Sequence, residues 1–230
     1  MQNGKIKRLE IYGDSILRGV TYEADTGRYG LCRKDRFAEL SESGIETKNN
    51  SRMGATIERG LQMLRRNLGE DAEGTVVLFE YGGNDCDYRW AEVAADPSGD
   101  FEPNIPEERY AEMYKEAIEY AKSKGARPVI ASLVPIDADK YMKWITKNLN
   151  YENILAWLGD ISMLSRWQEH YSRTAERLAY ETGTPLLDLR SAFLLSHDYK
   201  SLLCDDGIHP TERGHAMIDR AIGEFCRLFG

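Results

Sequence analysis

Residues 75–85 read TVVLFEYGGND, a nearly continuous apolar run that ends in two glycines, an asparagine and an aspartate. A strand with one wet face alternates apolar and polar residues. A strand covered on both faces is apolar throughout, and such strands belong to parallel sheets with helices above and below. Working outward, further strand candidates lie at 7–12, 46–50, 128–133 and 185–189. Between them, Ile57, Leu61, Leu64 and Leu68 recur at helical spacing, as do Tyr110, Met113, Tyr114, Ala117, Ile118 and Ala121. A third helix carries Leu164, Trp167, Tyr171, Ala175 and Leu178 up to Gly183, and a fourth carries Met217, Ile218, Ala221, Ile222 and Phe225. Strands alternating with helices predict an α/β fold, here a five-stranded parallel sheet in a three-layer α/β/α sandwich.

A chain of 230 residues with 42% hydrophobic content is long enough to bury a substantial core. It reads as a single domain over 1–230, with a long insertion at about 135–160. The formal charge of −8 lacks the basic footprint that phosphate backbones demand, which argues against nucleic acid as a partner. Nowhere does the sequence hold the ~18 consecutive apolar residues of a membrane span, and its first residues lack the apolar stretch of a secretory signal. The expectation is a cytoplasmic protein with no membrane partner. Cys32, Cys86, Cys204 and Cys226 are far apart and form no CxxC pair, consistent with reduced thiols.

Ligands of such sheets collect at the C-terminal ends of the strands. Gly13-Asp14-Ser15 follows the first strand, Met53-Gly54 comes shortly after the second, and Gly82-Gly83-Asn84-Asp85 follows the third. Near the C-terminus, CDDGIHP places Asp206 three residues before His209, a separation at which a carboxylate in a turn reaches the proton-bearing nitrogen of the imidazole. A histidine so oriented serves as a general base. Taken alone, each piece has a plainer reading. Ser15 suits a helix cap, Asp14 a turn, Asp85 a loop acceptor, and Asp-Gly an ordinary bend. Asp205, four residues before His209, is a second candidate for its partner. His170, His197 and His215 lack an acid-and-nucleophile context and read as structural or solvent-facing.

The four blocks GDS, SRMGAT, GGND and DGIHP, in that order, resemble the SGNH hydrolase superfamily, also called GDSL-type esterases, over the whole chain. The resemblance implies a flavodoxin-like SGNH hydrolase fold and a serine esterase that cleaves a small-molecule ester through an acyl-enzyme. Short-chain acyl esters and O-acetylated carbohydrates are its candidate substrates. It implies Ser15 as nucleophile, His209 as base and Asp206 behind it. Ser15, Gly54 and Asn84 would form the oxyanion hole, and no metal or organic cofactor is needed. The chain departs from the pattern in reading GDSI for GDSL and in placing Arg52-Met53 before Gly54. Glu80, inside an otherwise apolar strand, has no role in it.

Two other classes compete. A metal-dependent phosphoesterase would recruit Asp14, Asn84, Asp206 and His209 as ligands, but needs more histidines and carboxylates than the chain places there. A non-catalytic flavodoxin-like module would hold a ligand such as FMN in the loops after the first and third strands, and has no use for a base-oriented serine. The long connections at 85–105 and 135–160 exceed what a compact domain needs. The second brings Tyr141, Trp144, Tyr151 and Trp157 to the sheet edge that carries Ser15. Tyr141, Trp144 and Trp157 are expected to bind substrate there, and the competing expectation is a homo-oligomer contact.

Overall fold

A computed structural model describes residues 5–32 and 36–229. In chain order the elements are β1 (Arg8–Gly13), α1 (Ser15–Arg18), β2 (Val20–Glu23), β3 (Arg28–Leu31), α2 (Ala38–Glu42), β4 (Glu46–Asn49), α3 (Ile57–Asn67), β5 (Thr75–Glu80), α4 (Trp90–Ala95), α5 (Glu107–Ser123), β6 (Arg127–Ala131), α6 (Ala138–Ile145), α7 (Tyr151–Leu158), α8 (Ser162–Thr182), β7 (Leu186–Leu187), α9 (Arg190–Leu194), a 3₁₀ turn (Tyr199–Leu202) and α10 (Glu212–Phe229). Five strands form one parallel sheet in the order β4-β1-β5-β6-β7. The central strand is β5, buried at all six positions, as its apolar run requires.

Alternation along the strands divides the interior in two. Tyr12, Val77, Phe79 and Ile130 face α3, α5 and α8, where they meet Leu64, Tyr114 and Tyr171. Leu9, Ile11, Val76, Leu78 and Val129 face the other way, against Ile218 and Ile222 of α10 and Leu17 of α1. Pro106 caps α5, with Glu107 and Glu108 in its first turn, and Gly183 closes α8 in the left-handed conformation. A third cluster lies outside the sheet. Trp90 and Val93 of α4 pack with Tyr141, Met142 and Ile145 of α6, Ile154 of α7 and Leu164 of α8. The segment at 135–160 is therefore a pair of short helices with its own small core.

The structure differs from the sequence reading in three places. The strand expected at 185–189 shortens to two residues, because it lies at the sheet edge and the chain turns at once into α9, where Asp188 Oδ1 accepts the Ser191 N–H at 2.9 Å. The connection at 85–105 contains α4. An antiparallel hairpin, β2–β3, pairs Val20 with Leu31 and Glu23 with Arg28 beside the main sheet.

Gly60 of α3 stands where a methyl group would lie 2.4 Å from the Tyr81 ring. Glycine inside a helix normally disfavours it by about 1 kcal/mol relative to alanine. Here the collision reverses the sign: Gly60→Ala should destabilise the fold by about 1–3 kcal/mol, the range for overpacking. Urea unfolding of the two proteins checks this, and a gain in midpoint would contradict it.

Candidate active site

At the C-terminal end of β1, Asp14 takes the cap position of α1, with its Oδ1 accepting the Ile16 N–H at 2.8 Å. Because Asp14 caps the helix, the Ser15 hydroxyl is free for another partner. It lies 2.9 Å from Nε2 of His209. Nδ1 of the same ring lies 2.5 Å from Oδ2 of Asp206. The other oxygen of Asp206 accepts the backbone N–H groups of Ile208 and His209, both at 3.1 Å, so the acid also builds the turn that carries His209. Asp206, His209 and Ser15 are all buried. Asp205 points away, exposed, 4.0 Å from Lys140.

Gly207, between Asp206 and His209, has a φ of +76°, and a Cβ there would lie 2.5 Å from the Asp137 carbonyl and the Tyr141 nitrogen. The Asp137 N–H donates to the Gly207 carbonyl at 2.8 Å, so the start of α6 is fastened to the turn that holds His209.

Gly54 and Asn84 share a cavity wall with Ser15. Gly54 has a φ of +72°, the left-handed conformation a glycine adopts without strain, in a tight turn closed by the Ala55 N–H on the Arg52 carbonyl. The side-chain amide of Asn84 donates to Asp14 Oδ2 at 3.0 Å and to the Ala55 carbonyl at 3.2 Å. As the first residue of α1, Ser15 has a backbone N–H with no intrahelical acceptor.

These residues border a cavity of about 210 Å³. Tyr141, Trp144 and Trp157 from the 135–160 segment line it together with Tyr88, Trp90 and Trp167. Tyr151 is not among the lining residues. Within this wall, Asp87 Oδ1 accepts from the Tyr141 hydroxyl at 2.6 Å and the Trp90 indole at 2.8 Å. Burial raises the Asp87 carboxyl above the ordinary aspartate value.

Sequence reasoning missed Tyr29, on β3. Its ring meets the His209 ring edge-on at a centroid distance of 5.1 Å. Burial, with Asp206 nearby, pushes its phenol up to about 12. The signal was present in VTYEADTGRYGL, two short alternating runs around Asp25-Thr26-Gly27. Of the other histidines, His215 is buried, with Nε2 2.8 Å from the Val20 carbonyl, and burial pushes it down to about 3. His170 stacks on Trp167, and His197 is exposed.

Parallel sheet, helices on both faces and a serine–imidazole–carboxylate run at the strand ends define an α/β hydrolase of the SGNH type. Residues 11–217 match the model of the GDSL-like Lipase/Acylhydrolase family, and the chain belongs to that family. It is an ester hydrolase. The chain is 24% identical over 225 residues to the GDSL esterase/lipase CPRD49 of Arabidopsis thaliana, an alignment spanning 96% of this chain and 78% of that one. Its fold is similar to the lipase/acylhydrolase from Enterococcus faecalis, with a TM-score of 0.66, 17% identity and 96% of each chain covered. It is likewise similar to a catalytic mutant of Axe2, an acetylxylan esterase from Geobacillus stearothermophilus, with a TM-score of 0.65, 19% identity, 98% of this chain and 96% of that one covered. Among the described residues, no helix is long and apolar enough to cross a membrane.

Asp85, next to Asn84, accepts the Ile57 N–H at 2.8 Å and so fastens the start of α3, while its Oδ2 is buried without a partner. Burial raises its carboxyl to about 7. The unfolded chain releases that proton at the ordinary aspartate value of 3.8, so between about 4 and 7 the folded state holds more protons. Stability therefore falls as pH rises through that window, and the full penalty is present above it. Asp85→Asn keeps the acceptor and abolishes the charge. Its melting temperature should gain on the wild type as pH rises from about 5 to about 8. A difference independent of pH would contradict the assignment.

Proposed function

We propose that this ester hydrolase is a serine carboxylesterase that works through an acyl-enzyme on small esters, with O-acetylated carbohydrates as its preferred class. The observation that supports the reading most is the hydrogen-bonded run from Asp206 through His209 to Ser15 at the edge of the cavity. His209 takes the Ser15 proton as the hydroxyl attacks the ester carbonyl, returns it to the departing alcohol, and then activates water against the acyl-enzyme. Asp206 keeps Nδ1 protonated, so that Nε2 faces the serine with its lone pair.

The tetrahedral intermediate places negative charge on the former carbonyl oxygen. The Ser15 and Gly54 N–H groups meet it, and so does the Asn84 amide. One Asn84 hydrogen stays on Asp14, and the oxyanion draws the other from the neutral Ala55 carbonyl, because an ionised acceptor forms the stronger bond. The cavity exceeds what an acetyl group fills, so the aromatic wall receives the rest of the substrate. Its amphipathic rings suit the apolar face of a sugar, and Asp87 stands among them to accept a hydroxyl. A cytoplasmic setting belongs to this reading, since Cys86, Cys204 and Cys226 form no disulfide.

Ser15→Ala should abolish hydrolysis while the circular dichroism spectrum is unchanged, and an organophosphate should label Ser15 alone. Wild-type turnover in that variant would sink the mechanism. Asn84→Ala should lower kcat about a hundred- to a thousandfold with little change in KM, because its bond strengthens as charge develops. A raised KM at constant kcat would make Asn84 a ground-state contact.

Replacing Trp144 or Trp157 by alanine should reorder a panel of acetyl, butyryl and octanoyl esters and acetylated oligosaccharides, without altering the mass in solution. An unchanged ranking with a fall to a monomer's mass would turn the wall into a subunit interface.

A further inference from the structure

Glu80 is the last residue of β5 and is 1% exposed, in a strand otherwise occupied by Thr, Val, Leu and Phe. In the parallel register its Cα stands opposite Gly13, which immediately precedes Asp14. The Glu80 and Asp14 carboxyls are both buried, line the same cavity and lie close enough to interact. Ionised carboxyl groups only accept hydrogen bonds, so a bond between two of them contains a proton that belongs to one.

The surroundings decide which. Asp14 already receives the Ile16 N–H on one oxygen and the Asn84 amide on the other, and His209 lies on its side of the site. These donors favour the ionised form. Among the described residues no N–H group donates to Glu80, and its Oε2 is buried away from any N–H or O–H donor.

We propose that Glu80 is a carboxylic acid in the working enzyme, and that by donating its proton to Asp14 it fixes the carboxylate on which Asn84 rests. It is a positioning residue: it touches no reacting atom and acts through Asp14 on Asn84. The proposal rests on the oxyanion role given above to Asn84.

The other groups around Glu80 agree with a neutral state. Asp14 and Asp85 are acids, and Tyr81, Tyr110 and Tyr114 present phenols. Burial first, and then the Asp14 and Asp85 charges, push Glu80 well above the ordinary glutamate value. Ionising Glu80 would set two anions side by side out of water and drive Asp14 away from Asn84. Glutamine presents an N–H₂ in the same place and cannot ionise. Methionine matches the length and donates nothing.

Infrared spectroscopy at about pH 9, where Asp85 is ionised, tests the protonation directly. The wild type should show the carbonyl band of a protonated carboxyl, and Glu80→Gln should lack it. Recorded again in the Ser15→Ala protein, the band should persist. The protonation is thus read whether or not the serine mechanism holds.

Kinetics test the positioning. Glu80→Gln should stay within about threefold of wild-type kcat, and Glu80→Met should lose about tenfold or more in kcat with KM nearly constant, since the bond it weakens matters as charge develops. Absence of the band in the wild type, or its survival in Glu80→Gln, would overturn the assignment. Equal activity of the glutamine and methionine variants, at any level, would overturn the positioning role. Should Glu80→Met fail to fold, the band and the retained activity of Glu80→Gln decide the matter.

Discussion

Where β1 and β5 end side by side, Gly13 stands opposite Glu80. A methyl group on Gly13 would lie 3.0 Å from the Glu80 carbonyl and 3.1 Å from Cβ of Leu17, so the strands close at this point because the residue has no side chain. One step further along each chain come Asp14 and Ser15 on one side and the Gly82–Gly83–Asn84 turn on the other. The Asn84 amide can reach Asp14, and the Ser15 hydroxyl can face His209, because this pair of strands has this register. A slip of one residue would turn every side chain on the strand to the opposite face. Both faces of β5 are packed against helices, so such a slip would also dismantle two apolar clusters. The burial that holds the sheet together is therefore also what sets the chemistry in place.

That arrangement is expensive. Asp14, Glu80 and Asp85 are all buried where β1 and β5 end side by side, and an uncompensated ionised carboxyl in such surroundings costs several kcal/mol. The protein limits the loss by giving Asp14 and Asp85 backbone N–H donors from Ile16 and Ile57. The rest is offset by the two faces of the sheet, where burying one Leu, Ile, Val or Phe side chain contributes about 1.5–3 kcal/mol. A handful of those side chains outweighs one destabilised acid, which is why a small enzyme tolerates the cluster.

Much of this was legible in the sequence, for reasons that differ from element to element. The run TVVLFEY announced a doubly covered strand, and Pro106 and Gly183 marked helix ends whose preferences are local. Ser15, Gly54, Asn84, Asp206 and His209 come together in space because each follows a strand or opens a helix at the same sheet edge. Long-range packing was not legible. The two-residue β7 takes its length from an edge position, and the β2–β3 hairpin from contacts that settle it beside α1 and the His209 turn. Glu80 looked anomalous because its neighbour Asp14 is sixty-six positions away in sequence and adjacent only across the strand register.

Ser15 and His209 are separated by 194 positions along the chain. Synthesis proceeds at roughly 5–20 residues per second, so about ten to forty seconds pass between the appearance of the serine and that of the histidine. Throughout that time the hydroxyl stands beside a strand that has no base to offer it. Contacts this remote in sequence also close late, after the loop entropy between them has been overcome. Under the serine mechanism proposed above, the nascent polypeptide therefore lacks its base until the Asp206–His209 turn has been made. On that mechanism, a chain released before this turn is made would carry a serine with no base beside it.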